Sequence, residues 1–343
     1  GSEFGFTLQF QLNPYHAVSP LAVPAPLPVV PRRDWAKDPE DWSGDWAQSQ
    51  ERRLTLRDQL EPLLAKDGLI LESLEIDAHR AEVRFRNTRY QSDAQAIGRA
   101  ARTMSRLLPA SVETFRMVPV RSGMGLSAVE IRRSDLEALE FDANAADALL
   151  AVTGIGAAAP LPDGALVSEK LYPAFSTSVS PFSSPAFFDP ARPLRLDVGV
   201  DFNAAYEPAP GWKIAASLRQ RLAGNVKGGR ASNSVLPHVR TDQSLYAQYG
   251  TTLENLYAAR SWKLSPDLYA RSSVGYFESM YGGVSGEVLW KPVASPLALG
   301  LEANYVVQRE YNQRLGFLDY KTFTGHASAY YELGGGYLMQ VDA

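Results

Sequence analysis

The 343-residue chain has no cysteine. Disulfides, thiolate metal sites and cysteine nucleophiles are therefore excluded. Histidine is scarce: it occurs at positions 16, 79, 238 and 326, and no two of these have the spacing of metal ligands. No cofactor is expected. The formal net charge is −4, acids and bases are mixed, and no basic block points to nucleic acid. Long hydrophobic runs are also missing. The most apolar stretch, ALLAVTGIGAAAPL from Ala148 to Leu161, is too short and too rich in Gly and Ala for a membrane helix. The N-terminus, GSEFGFTLQF, has neither a basic region nor an apolar core of signal-peptide length. If this chain enters a membrane, it does so as β-strands.

Alternation is what the chain does have. Leu194, Leu196, Val198, Val200, Phe202, Ala204 and Tyr206 occupy every second position, and after a Pro/Gly break Trp212, Ile214, Ala216 and Leu218 resume the pattern. A period of two across a short break predicts a β-hairpin. Similar runs recur around 253–263, 268–278, 284–291, 297–307, 321–333 and 337–343. Connections alternate between short (207–211, 264–267, 292–296) and long (223–242, the flanks of 279–283, 308–320). Transmembrane barrels show this alternation, with periplasmic turns on one side and longer loops on the other.

Upstream, the character differs. FTLQFQL alternates and ends at Asn13-Pro14, so residues 1–13 read as a strand of a preceding barrel segment. Residues 14–44 follow, with Pro20, Pro24, Pro26, Pro28 and Pro31; this spacing predicts an extended, polyproline-like spacer rather than a loop packed on a domain. Residues 45–141 show helical spacing at Leu56, Leu60, Leu63 and Leu64. Strands are expected at 69–76 and 80–86. A helix follows, opened by a Ser92–Gln95 capping box and striped by Ile97, Ala101, Met104 and Leu108. Two more strands and a short helix complete the region. The order αββαββα predicts a small α+β periplasmic domain with helices on one sheet face. Residues 142–171 read as a connector and 172–343 as a partial antiparallel transmembrane β-barrel, giving a mixed, mostly β fold overall.

The apolar faces of these strands could meet lipid or a protein core. Trp212, Trp262 and Trp290 lie within two residues of short connections, and Tyr206 and Tyr269 flank the same turns. This placement suits an interfacial aromatic girdle. A soluble sandwich would give the same alternation, as in a structural or adhesin protein, but would leave the tryptophans unexplained. About eight or nine strands are expected, and the last runs to Ala343 without a turn. An open sheet cannot leave its edge N–H and C=O groups in lipid, so a fragment, or closure with other chains, is the expectation. Strand 253–263 mixes Leu, Asn, Glu and Arg on both faces, which a register shift would explain.

Three segments, FDPARPL (188–194), YEPAPGW (206–212) and SVLPHVRTD (234–242), resemble the YjbH family of outer-membrane proteins, whose relatives are encoded with exopolysaccharide and group 4 capsule genes. The similarity is strongest over 170–343. The resemblance implies an outer-membrane location in a Gram-negative bacterium, soluble periplasmic modules, and a role in polysaccharide secretion. It also implies long family members with more than one barrel segment and an N-terminal lipoprotein cysteine, neither of which is found here. The expected partners are outer-membrane lipid, anionic polysaccharide and periplasmic capsule or exopolysaccharide assembly proteins. The resemblance carries no catalytic residues.

Candidate site residues follow from the polar faces and the longest loop. Arg219, Arg221, Arg260 and Arg271 could ring a pore and attract anionic sugar, or could pair with Asp197, Asp201 and Glu254 on neighbouring strands. His238, Arg240 and Asp242 alternate at the end of the longest loop, where they could fold over the lumen or form a structural loop-to-strand transition. His326 and Ser328 share a strand face, but no acid or oxyanion site is evident beside them, so polar lining is preferred to a nucleophile–base pair. The function expected is non-catalytic, with a barrel enzyme acting on polysaccharide or lipid as the alternative.

Overall fold

The computed structural model describes residues 25–187, 194–228, 235, 238–334 and 337–343. The opening strand 1–13, residues 14–24 with Pro20 and Pro24, and residues 188–193, 234 and 236–237 of the resemblance lie outside the described residues.

The first sheet belongs to the α+β domain. Its elements are α1 (Pro39–Ser43), α2 (Gln50–Lys66), β1 (Leu69–Ile76), β2 (Arg80–Asn87), α3 (Asp93–Leu107), β3 (Thr114–Arg121), β4 (Met124–Gly125), β5 (Ser127–Arg132) and α4 (Arg133–Leu139). The stretch read as a connector adds α5 (Ala145–Val152), β6 (Gly154–Ala157) and β7 (Leu166–Val167). β6 and β7 become the two edges of the sheet, in the order β6-β5-β3-β2-β1-β7. Alternation along β2 turns Ala81, Val83 and Phe85 toward the helices, where they meet Leu56, Leu60 and Leu64 of α2 and Ile97, Ala101 and Met104 of α3. Each large apolar side chain buried this way contributes about 1.5–3 kcal/mol.

Two local expectations are corrected. Ser92 stands at the N-cap of α3 but makes no capping hydrogen bond. Asn87 Nδ2 instead binds Asp93 Oδ1 at 2.9 Å, which anchors the first turn from outside the helix. The proline-rich stretch is not a free spacer where it is described. Val29 is buried in the domain core, and Arg32 bonds Glu137 at 3.1 Å and Glu113 at 2.6 Å. An apolar side chain and a doubly paired guanidinium outweigh the polyproline preference for a solvated strand.

The second sheet is a nine-stranded antiparallel meander, β8 (Ala174–Phe187), β9 (Leu194–Glu207), β10 (Trp212–Gly224), β11 (Thr251–Ser265), β12 (Leu268–Tyr276), β13 (Tyr281–Trp290), β14 (Leu297–Arg309), β15 (Phe317–Gly334) and β16 (Tyr337–Asp342), each paired with its sequence neighbours. A one-turn helix, α6 (Gln243–Tyr246), lies in the β10–β11 connection. β8 and β16 are not paired with one another, so among the described residues the sheet is open. No described helix is long and apolar enough to cross a membrane.

Alternation splits this sheet into two unlike faces. The outer face carries Phe175, Val198, Phe202, Ile214, Val274, Val284, Leu301 and Phe323, all exposed. No described element packs on it. The mixed character of β11 resolves at a bulge: Ser217 pairs with Asn255 and the next residue, Leu218, with Leu253, so Glu254 is the extra residue. The bulge lets Leu253 and Leu256 share the outer face while Glu254 turns inward.

The short turns meet the α+β domain. Lys263 of β11 donates from Nζ to the carbonyls of Gly125, Leu126 and Ala158 at 2.8, 3.2 and 2.9 Å. Arg86 of β2 pairs with Glu207 of β9 at 3.0 Å. Gly123 and Gly211, at φ +71° and +79°, come so close that a Cβ on Gly123 would stand 2.5 Å from the Gly211 nitrogen. Only a residue without a side chain permits that approach.

Candidate functional site

The inner face of β11–β15 curves round a trough of about 710 Å³. Tyr257, Arg271, Ser273, Ser285, Glu287, Glu302, Asn304, Thr322, Thr324 and His326 line its wall, one side chain from every second position. Phe277, Glu278 and Tyr281 line it from the loop end of the sheet, and Val239 and Arg240 enter from the β10–β11 connection. Segment 238–250 therefore folds onto the mouth of the trough. Tyr246, Met280 and Tyr281 form a small core there, with Val306, Tyr311 and Tyr320 packed against it. The Tyr281 hydroxyl donates to the Val239 carbonyl, and that of Tyr311 donates to Asp242 Oδ2 at 3.0 Å.

The expected candidates fall into three groups, with Arg260 apart from all of them. Arg240, Arg271 and His326 meet in the trough. Arg219 and Arg221 also face inward, but into a smaller recess beside Asp197, Glu254 and Tyr249. His238 and Asp242 bind each other at 2.6 Å in the loop above. Arg260 is on the wrong side for a lumen residue. It pairs in register with Trp212 and lies over the rings of Trp212 and Trp262 on the outer face. Tyr269 is corrected in the opposite sense. It shares the inner parity of Arg271, and its ring lies 5.5 Å from Lys263 Nζ, so it is no part of an outer girdle. Trp212, Trp262, Trp290 and Tyr206 are exposed on the outer face.

The inward guanidinium groups are paired. Arg219 holds Asp201 in a two-point contact, both bonds 2.8 Å, and reaches Glu254 at 3.0 Å. Arg221 meets Asp197 at 3.3 Å, Arg240 meets Glu278 at 2.9 Å, and Arg271 meets Glu287. The polar wall is thus a ladder of internal ion pairs interleaved with hydroxyls, amides and tyrosines. Glu302 accepts a bond from Asn304 at 2.7 Å and faces His326 across the β14–β15 ladder. Ser328 donates its hydroxyl to Asp342 Oδ1 at 2.6 Å. That bond goes to Asp342 rather than to His326, so the two residues do not form the Ser–His pair that their shared strand face allowed.

Arg309 is a residue that the sequence pattern did not single out. It is fully buried, lies 4.7 Å from the Tyr276 ring, and donates to the carbonyls of Leu253, Glu254, Glu278, Gln313 and Arg314. It ties β11, the β12–β13 connection and the β14–β15 loop into one rim. At the end of a strand it looks like any loop-flanking cation, and only the closing of several loops on it reveals the hub.

The family model described as "Exopolysaccharide biosynthesis protein YbjH", named YjbH, matches residues 1–343. The chain belongs to the YjbH family. Among curated proteins, it is similar to an uncharacterized lipoprotein YjbH of Escherichia coli (strain K12), 27% identical over 283 residues. That match covers 80% of this chain and 40% of the relative, so the chain spans less than half of the YjbH lipoprotein it resembles. No solved structure matches. This YjbH-family chain is thus mostly β, with two sheets and a polar trough at the loop end of the second.

Proposed function

We propose that this chain is an outer-membrane segment of an exopolysaccharide or capsule secretion machine. In this reading, the second sheet meets lipid with its outer face and sugar with its inner one, and the α+β domain stands in the periplasm. The observation that carries the proposal is the uncovered outer face, where Phe175 and Phe323 are each 70% exposed and no described element shelters them. Aliphatic and aromatic side chains ranged over nine strands would be a liability in water and are the requirement in hydrocarbon.

The inner trough suits a docking surface better than a catalyst. Hydroxyls, amides and tyrosine rings can bond and stack on a glycan, and the arginines of the wall already have carboxylate partners. Family membership supplies the polysaccharide, and the paired charges make the trough a zwitterionic surface rather than a cationic ring. The domain below it would contact periplasmic assembly proteins.

The test of the lipid face uses the six tryptophans. A variant keeping only Trp212, Trp262 and Trp290 is folded into phosphatidylcholine vesicles with or without bromine on the acyl chains. Quenching of its emission by the brominated lipid is expected. Unchanged emission, with the protein free of the vesicle fraction, would sink the reading.

A further inference from the structure

Arg260 differs from the four arginines that face the trough and its neighbouring recess. Arg219, Arg221, Arg240 and Arg271 each have a carboxylate. Arg260 has none among the described residues, although it stands on the apolar face between Leu256 and Ala258 on one side and Trp262 and Leu264 on the other. Its guanidinium carbon lies 5.0 Å from the Trp212 ring centroid and 5.9 Å from that of Trp262. Nη1 reaches toward the turn and donates to the Pro210 carbonyl at 3.2 Å. The side chain therefore leans out of the apolar band toward the rim where the α+β domain docks.

An arginine at this level is costly unless an anion meets it, and it lowers that cost by extending toward the headgroups. The two indoles fix the guanidinium through their ring faces and themselves favour the headgroup level. One donor is used by Pro210. The remaining N–H groups form a fork whose geometry fits the paired oxygens of a phosphodiester.

We propose that Arg260, held between Trp212 and Trp262, binds the phosphate of a glycerophospholipid in the leaflet nearest the α+β domain. This rests on the lipid-facing reading of the outer face. The site commits to a lipid phosphate rather than a free one, because the flanking surface is apolar on the side away from the rim.

The full chain is folded into vesicles of phosphatidylcholine and phosphatidylglycerol and extracted, and bound phospholipid is counted by native mass spectrometry. The wild type is expected to retain about one phospholipid more per chain than Arg260→Gln, with roughly tenfold slower exchange, as expected for losing one charge-assisted contact. Arg260→Lys keeps the cation but loses the fork, so it should hold the lipid more weakly than the wild type and more strongly than Arg260→Gln, which separates loss of charge from loss of fold. Equal retention in wild type and Arg260→Gln, with both inserted by the quenching criterion, overturns the site and leaves the lipid face standing. Displacement of the lipid by inorganic phosphate alone also overturns it, because the site would then be one for free anions. A chain that never inserts overturns the lipid-facing reading and this site together.

Discussion

Phe85 and Phe323 both sit on an apolar stripe of a β-strand, yet the first is fully buried and the second 70% exposed. The difference lies in what each sheet is given to face. Upstream of residue 172 the chain interleaves its strands with α2 and α3, whose Leu56, Leu60, Leu64, Ile97 and Met104 close over one sheet face. Downstream, the only described α-helix is the four-residue α6, which sits over the inner side at the loop end. Alternation fixes which side of a strand is apolar. It does not fix the solvent, and the presence or absence of helices with an apolar stripe makes that second decision.

The sharpest way to test this contrast is in the domain. Phe85→Ala should cost about 3–5 kcal/mol of domain stability, because the cavity opens between a sheet and two helices that cannot collapse freely. Urea unfolding followed by tryptophan emission measures it. A loss under about 1 kcal/mol would mean that the helices are not a true cover.

A smaller effect is expected on the second sheet, and it should depend on parity. Leu301→Arg places a cation on the outer face and should destabilise the sheet in phosphatidylcholine vesicles by about 2–4 kcal/mol, the cost near the bilayer middle. Thr324→Arg, on the inner face, should cost about 1 kcal/mol or less, because the trough is polar and open to water. Folding titrations in urea with vesicles present give both values. Equal losses would erase the distinction between the faces and return the sheet to a soluble sandwich.

The sequence made much of this contrast readable. β1 falls on Leu69–Ile76 as its pattern predicts, and the stripe of α3 buries Ile97, Ala101, Met104 and Leu108. β8 is hidden in the sequence, because FSTSVSPFSSPAF buries its alternation under serines and places Pro181 and Pro185 in the strand. Proline is tolerated where a strand leaves one side of its ladder open, and among the described residues β8 pairs only with β9. Tyr269 and Arg260 lie on the faces opposite to those expected: nearness to a turn says nothing of the parity of Tyr269, and Arg260, though a cation, shares the parity of Trp262. Of the candidate site, the residues were legible and their pairing was only one of two readings. Which of Arg219, Arg221 and Arg271 stays available to a ligand depends on neighbours brought by register, and register follows from bulges such as the one at Glu254.

The smallest effect distinguishes the two sides of the domain sheet by pH. Glu72 lies toward the second sheet. Burial pushes its pKa above the ordinary 4.5, the bond and charge of Arg86 draw it back only partly, and Glu207 raises it further. Glu113 lies beside Arg32, in the proline-rich segment that packs on the domain. Burial opposes its ionisation too, but bonds from Ser134 and Arg32 outweigh that and hold it below 4.5. The signs for stability are therefore opposite. The folded domain takes up the Glu72 proton before the unfolded chain does, so that contribution is full below about 4.5 and is lost as pH rises through the folded value. The Glu113 contribution is full above about 4.5 and is lost as pH falls through its own folded value. Carboxyl-carbon NMR titration should give midpoints on either side of 4.5. Glu113→Gln should flatten the acid-side loss in urea unfolding, and Glu72→Gln should deepen it by removing the opposing gain. Coincident midpoints would mean that the surface docked to the second sheet is as wet as the side around Arg32 and Glu113, and the seam around Arg86 and Glu207 would not then be the closed contact described.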